Sequence, residues 1–433
     1  MLLDLQPPLS GSSRSSSPLP IIRAYPIRYL LMLLFISLSM TNAFQWIEYS
    51  IIEKIVTEFY QVNTTAVMCT SVVYMVSYII GIIPATWLLD HYGLRPCLII
   101  ASLGNTVGSW IKCVAVDPNL FWVSMLGQTI VASSQLFILN IPPLLAATWF
   151  PANDVATATS YGVFGNQVGI ALGFFIPPLL VPAPEQFTPN NTNATLSWEF
   201  INTSTVAFVS DELDRTRTAR GFRFLFYSVS IITTVIFLLI VGLFENRPKH
   251  PPSEAQVYAQ TIAENRPFTS SIVALFTNCN FVLLFISYGL NTGVFYAIST
   301  VLGHMVNKAM GEKFEQEAGW MGMIITLAGI IGSLVCGYIL AYSKRFKCVT
   351  LFVYIFSLLG TIAFTIGIEV RLIWLLMAIC ALLGFFMTGY LPIGLEFAAE
   401  VSFPQPEGTS AGLLNASAQV NEQFIKNSTS FPI

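Results

Sequence analysis

Ten long stretches of mostly apolar residues constrain this chain more than any other feature of its sequence. A helix needs roughly 20 apolar residues to cross the hydrocarbon core of a bilayer, and each stretch is about that long or longer. Only helices and closed barrels satisfy their backbone hydrogen bonds in lipid, and stretches without polar alternation favour helices. The sequence therefore predicts an all-α polytopic membrane protein. The predicted spans lie near residues 27–51, 66–89, 97–115, 120–146, 157–181, 222–244, 270–300, 318–342, 348–369 and 372–397.

Composition supports this class and argues against several others. Hydrophobic residues make up 54% of the chain and charged residues only 10%, against about 25% charged in an ordinary soluble domain. The net charge of −3 comes with no basic cluster, so we expect no nucleic-acid partner. The seven cysteines show no ligand spacing, and the sequence has no nucleophile triad or phosphate loop. We expect no enzymatic activity, no metal and no cofactor.

Charges in the short loops predict the orientation in the membrane. Arg28 precedes the first stretch, Arg95 follows the second, and Lys249 follows the sixth. Because basic residues in short loops face the cytosol, the N-terminus is expected there. If the spans are counted from a cytosolic N-terminus, four N-glycosylation sequons lie on the outer side of the membrane. The plasma membrane is the expected location. The sequons begin at Asn63, Asn190, Asn193 and Asn202.

A repeat with an offset of about 250 residues relates two halves of the chain. Trp46 and Tyr296 are 250 residues apart, and Gln167 and Gln419 are 252 apart. Such parallel repeats are typical of the major facilitator superfamily, in which two six-helix halves are related by an axis along the membrane normal. The expected segments are a disordered cytosolic tail (1–26), a first bundle (27–244) with an outer loop (182–221), a cytosolic linker (245–269), an incomplete second bundle (270–420) and a divergent polar tail (421–433).

The segment Asp90-His91-Tyr92-Gly93-Leu94-Arg95 resembles the facilitator loop motif between the second and third spans. An acid at one helix end, a glycine turn and a base beside the next helix can form and break a charge lock during gating. The match is partial, because Thr86 and Pro96 replace a usual glycine and a usual base. A generic short cytosolic turn is the alternative interpretation.

The fifth span combines a glycine stripe with a polar residue. Gly165, Gly169 and Gly173 recur at intervals that let helix backbones approach closely, which predicts helix packing. Gln167 lies off that stripe. A buried glutamine either bonds a neighbouring helix or faces a wet cavity, and its repeat counterpart Gln419 favours the cavity.

Trp46 and Tyr296 have two possible roles. Both residue types are common in the aromatic belts at membrane interfaces. Here, however, polar residues precede each of them in its span, including Asn42 and Asn291. Aromatic faces bind quaternary ammonium groups by cation–π attraction, which contributes about 2 kcal/mol or more when desolvated. We therefore favour a cage for an organic cation.

Three charged residues lie within or beside the predicted spans. Lys112 lies about one turn from the outer end of its span, where a long side chain is expected to snorkel to the interface. Glu48 and Glu396 are weaker site candidates, because an intramembrane carboxylate raises the possibility of proton coupling.

Several strings of this sequence resemble the feline leukaemia virus subgroup C receptor-related family, whose members are facilitator-superfamily carriers for choline and ethanolamine and have also been assigned haem transport. The resemblance implies alternating access by a monomer in the bilayer. It also implies that Trp46 and Tyr296 cage the ammonium while Gln167 and Gln419 contact its polar end. Glu48 stands where this family is expected to have glutamine. The strings are Asn42 to Ser50, Pro84 to Asp90, Gly108 to Cys113, Gly165 to Gln167, Ser287 to Asn291 and Gly412 to Gln419.

Two alternatives to choline transport stay open at this point. Haem is the second substrate, although it needs axial ligands and partners for its propionates. The other alternative arises because the resemblance ends after Val420, where Asn421, Glu422 and Gln423 are expected to interrupt an eleventh span. The chain would then be a truncated, non-transporting isoform or an incomplete gene model.

Overall fold

The described part of the chain consists of helices joined by short connections. The computed structural model describes residues 22–181, 203–253, 268–310 and 315–430. Most of the expected tail 1–26, much of the outer loop 182–221 and the middle of the linker 245–269 lie outside the described residues. The same holds for the sequons at Asn190, Asn193 and Asn202.

Eight α-helices are described in the first half of the chain. They are α1 (Ile27–Ile47), α2 (Glu53–Tyr60), α3 (Thr64–Tyr92), α4 (Leu94–Val114), α5 (Phe121–Ile138), α6 (Ile141–Trp149), α7 (Val155–Leu180) and α8 (Thr203–Leu243). Six more are described in the second half. They are α9 (Phe268–Thr277), α10 (Cys279–Met310), α11 (Glu315–Ser343), α12 (Phe346–Val370), α13 (Ile373–Ser402) and α14 (Glu407–Ser430).

Ten of the described helices are long and apolar enough to cross a membrane, and they overlap the ten predicted stretches. The fourth stretch is not one helix, because α5 ends at Ile138 and α6 begins at Ile141. Pro142 and Pro143 explain the break. Proline has no backbone N–H, so the carbonyls of Ile138 and Leu139, four residues earlier, lose their helical donors.

The last described helix, α14, differs from the sequence-based expectation. It continues through Asn421 to Ser430 instead of stopping at the polar residues. Glu422 is fully buried there, and the amide nitrogen of Asn421 donates to the Ser417 carbonyl at 2.8 Å. A polar helix of this kind is tolerated when it packs against protein, and α14 packs along α10 and α3.

The two halves meet along two pairs of helices. In one pair α7 lies against α11, and in the other α3 lies against α14. A hydrophobic cluster that contains Trp46, Tyr74, Tyr296 and Leu414 continues across this contact. The interface between the halves is therefore part of the core, and it encloses the site described next.

Candidate functional site

A small cavity lies between the two halves. Its volume is about 20 Å³, which is room for roughly one water molecule. Helices of both halves and the α5–α6 break contribute to its wall. The lining residues are Ser39, Ile138, Leu139, Pro142, Gly162, Val163, Asn166, Gln167, Tyr288, Tyr296, Leu391, Leu395 and Asn415.

Two aromatic rings from opposite halves meet beside this cavity. Trp46 near the end of α1 and Tyr296 on α10 have ring centroids 5.5 Å apart and planes at 82°. This edge-to-face arrangement lies in the range that stabilises aromatic pairs. Both side chains are at most 5% exposed. Residues separated by 250 positions are thus neighbours, and neither lies in an exposed interfacial belt.

Gln167 on α7 faces the cavity with an amide that has no partner. The side chain is fully buried, and within the described residues neither its amide oxygen nor its amide nitrogen is hydrogen-bonded. A buried polar group left unpaired costs about 1–3 kcal/mol. Such an amide fits a place where a bound molecule supplies the missing partner. Its repeat counterpart Gln419 is also buried, on α14, but it does not line this cavity.

The two asparagines expected beside the substrate are instead used in helix packing. The amide nitrogen of Asn42 donates to Asn105 Oδ1 at 3.2 Å and to the Val131 carbonyl at 3.1 Å. That of Asn291 donates to the Met387 carbonyl at 3.4 Å. These bonds hold α1 against α4 and α5, and α10 against α13. Neither asparagine lines the cavity, which differs from the expectation.

Asn415 and Tyr288 line the cavity although the sequence did not single them out as site residues. The amide nitrogen of Asn415 donates to the Leu139 carbonyl at 3.1 Å, which is one of the carbonyls freed by the α5–α6 break. The Tyr288 hydroxyl donates to Asn415 Oδ1 at 3.4 Å. At the repeat offset of 252 its counterpart is Val163, which also lines the cavity but which the sequence did not single out either.

The glycine stripe on α7 packs against α1, as predicted. A Cβ added at Gly169 would lie 2.2 Å from the Met40 carbonyl oxygen. Added Cβ atoms at Gly165 and Gly173 would meet α1 carbonyls at 2.7 and 3.2 Å. The backbones of α1 and α7 therefore touch over several turns. This contact fixes Gln167 relative to the end of α1 that carries Trp46.

The loop motif forms a contact between the halves in place of the expected charge lock. The Asp90 carboxylate accepts a hydrogen bond from the Thr409 hydroxyl on α14. Arg95 Nη2 donates to the Val241 carbonyl at 3.2 Å instead of to Asp90. Gly93, at φ +83°, ends α3 in a conformation that favours glycine.

A second carboxylate links the halves in the same way. The Thr159 hydroxyl on α7 donates to Glu396 Oε2 on α13 at 3.0 Å. Each half thus contributes one carboxylate, from Asp90 or Glu396, and one threonine near the start of α7 or α14. These two hydroxyl–carboxylate hydrogen bonds join the halves where α3 and α13 end and where α7 and α14 begin, and they close the site at that end.

Comparisons with known proteins identify the family. Residues 29–420 match the model of the Major Facilitator Superfamily. The chain is 43% identical to the choline/ethanolamine transporter flvcr2a of Danio rerio, over 96% of this chain and 82% of that protein. It is 45% identical to an uncharacterised MFS-type transporter of Caenorhabditis elegans, over 91% of this chain and 62% of that protein. The chain thus spans less than two thirds of the worm relative's length.

Solved structures agree on the fold. The crystal structure of a single-residue variant of the E. coli fucose:proton symporter superposes with a TM-score of 0.67 at 11% identity, covering 93% of this chain and 92% of that one. At this identity the likeness concerns the fold alone, and it confirms the predicted all-α facilitator architecture. The chain belongs to the major facilitator superfamily and, within it, to the feline leukaemia virus subgroup C receptor-related family.

Proposed function

We propose that this protein carries choline and ethanolamine across a membrane by alternating access. The observation that supports this most is the Trp46–Tyr296 pair, contributed by opposite halves beside a cavity that also presents the unpaired Gln167 amide. Aromatic faces bind quaternary ammonium without a buried counter-charge. The amide can serve the hydroxyl group that choline and ethanolamine share. Two relatives from Danio rerio, flvcr2a and flvcr2b, are named choline/ethanolamine transporters, which supports the same substrates.

The size of the cavity indicates which state of the cycle is described. A space of about 20 Å³ is far too small for choline. Tyr296 and Trp46 contact each other edge to face, so the substrate must separate the two rings when it enters. We therefore interpret the structure as a closed state of the cycle. The Asp90–Thr409 and Glu396–Thr159 bonds would break when the halves part on that side.

The lining favours a small cation over haem. It consists of two tyrosine side chains, three side-chain amides, one serine hydroxyl and aliphatic groups, and none of its described residues is charged. A tyrosine hydroxyl can ligate haem iron, but this lining offers no basic group to the haem propionates. An inside-negative potential contributes about 2.3 kcal/mol per 100 mV to the entry of one positive charge, so uptake requires no coupled ion.

We propose that the protein works as a monomer in the plasma membrane with a cytosolic N-terminus. The loop charges support this orientation. The sequon at Asn63 supports it too, because its exposed side chain lies between α2 and α3, one membrane span after the N-terminus. A mobility shift on deglycosylation that Asn63→Gln reduces would agree with an outer location, and labelling of this loop only from the cytosol would contradict it.

Replacing Gln167 by leucine tests the polar side of the proposed site. Leucine cannot hydrogen-bond the substrate hydroxyl, whereas the Gln167 amide can. We therefore expect KM for choline to rise about tenfold, which corresponds to one lost hydrogen bond. Folding is expected to tolerate the change, because the amide has no protein partner to lose among the described residues. Radiolabelled choline uptake at matched surface expression measures the effect.

Gln135→Leu is the matched control, since Gln135 is also a buried glutamine of the first half but does not line the cavity. Its KM is expected to stay within about twofold of wild type. Equal KM values for Gln167→Leu and wild type would remove Gln167 from the site.

A further inference from the structure

A buried ion pair lies at the end of α1, next to the aromatic cage. The ammonium of Lys112, in the last turn of α4, lies 2.5 Å from Glu48 Oε1, and both side chains are 1% exposed. The prediction that Lys112 snorkels to the interface is therefore wrong. The reason is that the carboxylate of the residue directly after α1, 64 residues away in sequence, is within reach.

A second contact extends the ion pair to the backbone of α1. Lys112 Nζ also donates to Gln128 Oε1 on α5 at 3.1 Å. Gln128 Nε2 in turn donates to the Gln45 carbonyl at 2.6 Å. The chain of contacts thus holds α1 at residue 45 and at residue 48. Trp46 lies between these two points.

Stability alone is a poor explanation for this arrangement. The cost of desolvating two charges offsets most of their attraction, and apolar replacements of a buried pair are often neutral or stabilising. The position of the pair is more informative. The helix α1 ends at Ile47, directly after Trp46, where the last turn of a helix has unsatisfied carbonyls and tends to fray. A cation near a helix C-terminus also interacts favourably with the helix dipole.

We propose that Lys112, acting through Glu48 and Gln128, is a positioning residue that holds the last turn of α1 so that the Trp46 indole faces Tyr296. This proposal rests on the proposed function insofar as its readout is choline affinity. It assigns Lys112 and Glu48 no contact with the substrate. Their effect reaches the substrate through the orientation of Trp46.

Four variants separate positioning from stability. Glu48→Met and Lys112→Met each leave one buried charge without its partner, and both are expected to lower the amount of folded protein. The double variant Glu48→Met/Lys112→Met removes both charges and is expected to restore it. Because the double variant still lacks the contact that holds α1, its KM for choline is expected to stay about tenfold above wild type. Glu48→Gln keeps an acceptor for Lys112, and its KM is expected to stay within about threefold.

The measurement is radiolabelled choline uptake, with KM and Vmax determined at quantified surface expression. Asp154→Asn is the control, because it removes the charge of a half-exposed carboxylate that lies 3.9 Å from Arg28, and it is expected to leave KM unchanged. A wild-type KM in the folded double variant would overturn the positioning role, and so would a raised KM in Glu48→Gln equal to that of the double variant. Absence of choline uptake by the wild-type protein would instead contradict the proposed function.

Discussion

Replacing Trp46 by alanine is expected to raise KM for choline by about 25-fold or more. A desolvated cation–π contact contributes about 2 kcal/mol, and each 1.4 kcal/mol corresponds to a factor of ten in affinity. Trp46 is 4% exposed and contacts Tyr296 edge to face, so alanine removes one aromatic wall of the proposed cage. Choline uptake at matched surface expression is the measurement.

Two further variants show whether this loss reflects the cation or the packing. Truncating a buried tryptophan also opens a cavity that costs about 3–5 kcal/mol of stability, so the surface amount of Trp46→Ala must be quantified. Trp46→Phe keeps a ring, and its KM is expected to lie between those of wild type and Trp46→Ala. Trp149→Phe alters an equally buried tryptophan on α6 that belongs to a different hydrophobic cluster from Trp46 and Tyr296, and it should leave KM unchanged. An unaltered KM in surface-expressed Trp46→Ala would refute the cage.

Replacing Gly169 by leucine is expected to abolish uptake by disrupting the fold. The added Cβ would lie 2.2 Å from the Met40 carbonyl oxygen, which belongs to the backbone of a neighbouring helix and cannot rotate away. The helices α1 and α7 would have to separate, and with them Trp46 and Gln167. In membrane bundles small residues at such contacts allow the close packing that drives association. We expect little folded protein at the surface and a melting temperature well below wild type.

Gly242→Leu is the control for this substitution. Gly242 lies on α8, and a Cβ added there meets no atom within 4 Å. Leucine at this position is expected to leave the melting temperature and uptake near wild type, because a helical glycine is itself slightly unfavourable. Gly169→Leu protein with the wild-type melting temperature and full uptake would contradict the close contact between α1 and α7.

The overall fold was predictable because its main signal is local. A run of apolar residues as long as the membrane is thick is visible without knowledge of tertiary contacts. The break between α5 and α6 was also readable in principle, since Pro142 and Pro143 remove two helical hydrogen bonds. The continuation of α14 past Asn421 was not predictable from the sequence. It depends on packing, because Asn421 and Glu422 lie against Gly293 of α10, where an added Cβ would touch them.

The proposed site was predictable only where the repeat supplied information about distance. The offset of about 250 residues related Trp46 to Tyr296, and the structure places their rings in contact. The local pattern of polar residues before Trp46 placed Asn42 beside the substrate, whereas its amide bonds Asn105, 63 residues away. Lys112 shows the same limitation. Whether a buried polar group faces a cavity or a neighbouring helix depends on partners that are remote in sequence, and local pattern does not identify them.

We propose that this chain moves a choline cation through a site between its two halves. Purified protein in liposomes tests this proposal, when radiolabelled choline uptake is measured as a potassium diffusion potential is varied. We expect saturable uptake that ethanolamine inhibits and that rises as the inside becomes more negative, since one positive charge gains about 2.3 kcal/mol per 100 mV. Choline entry no faster than into protein-free liposomes at every potential would contradict the claim.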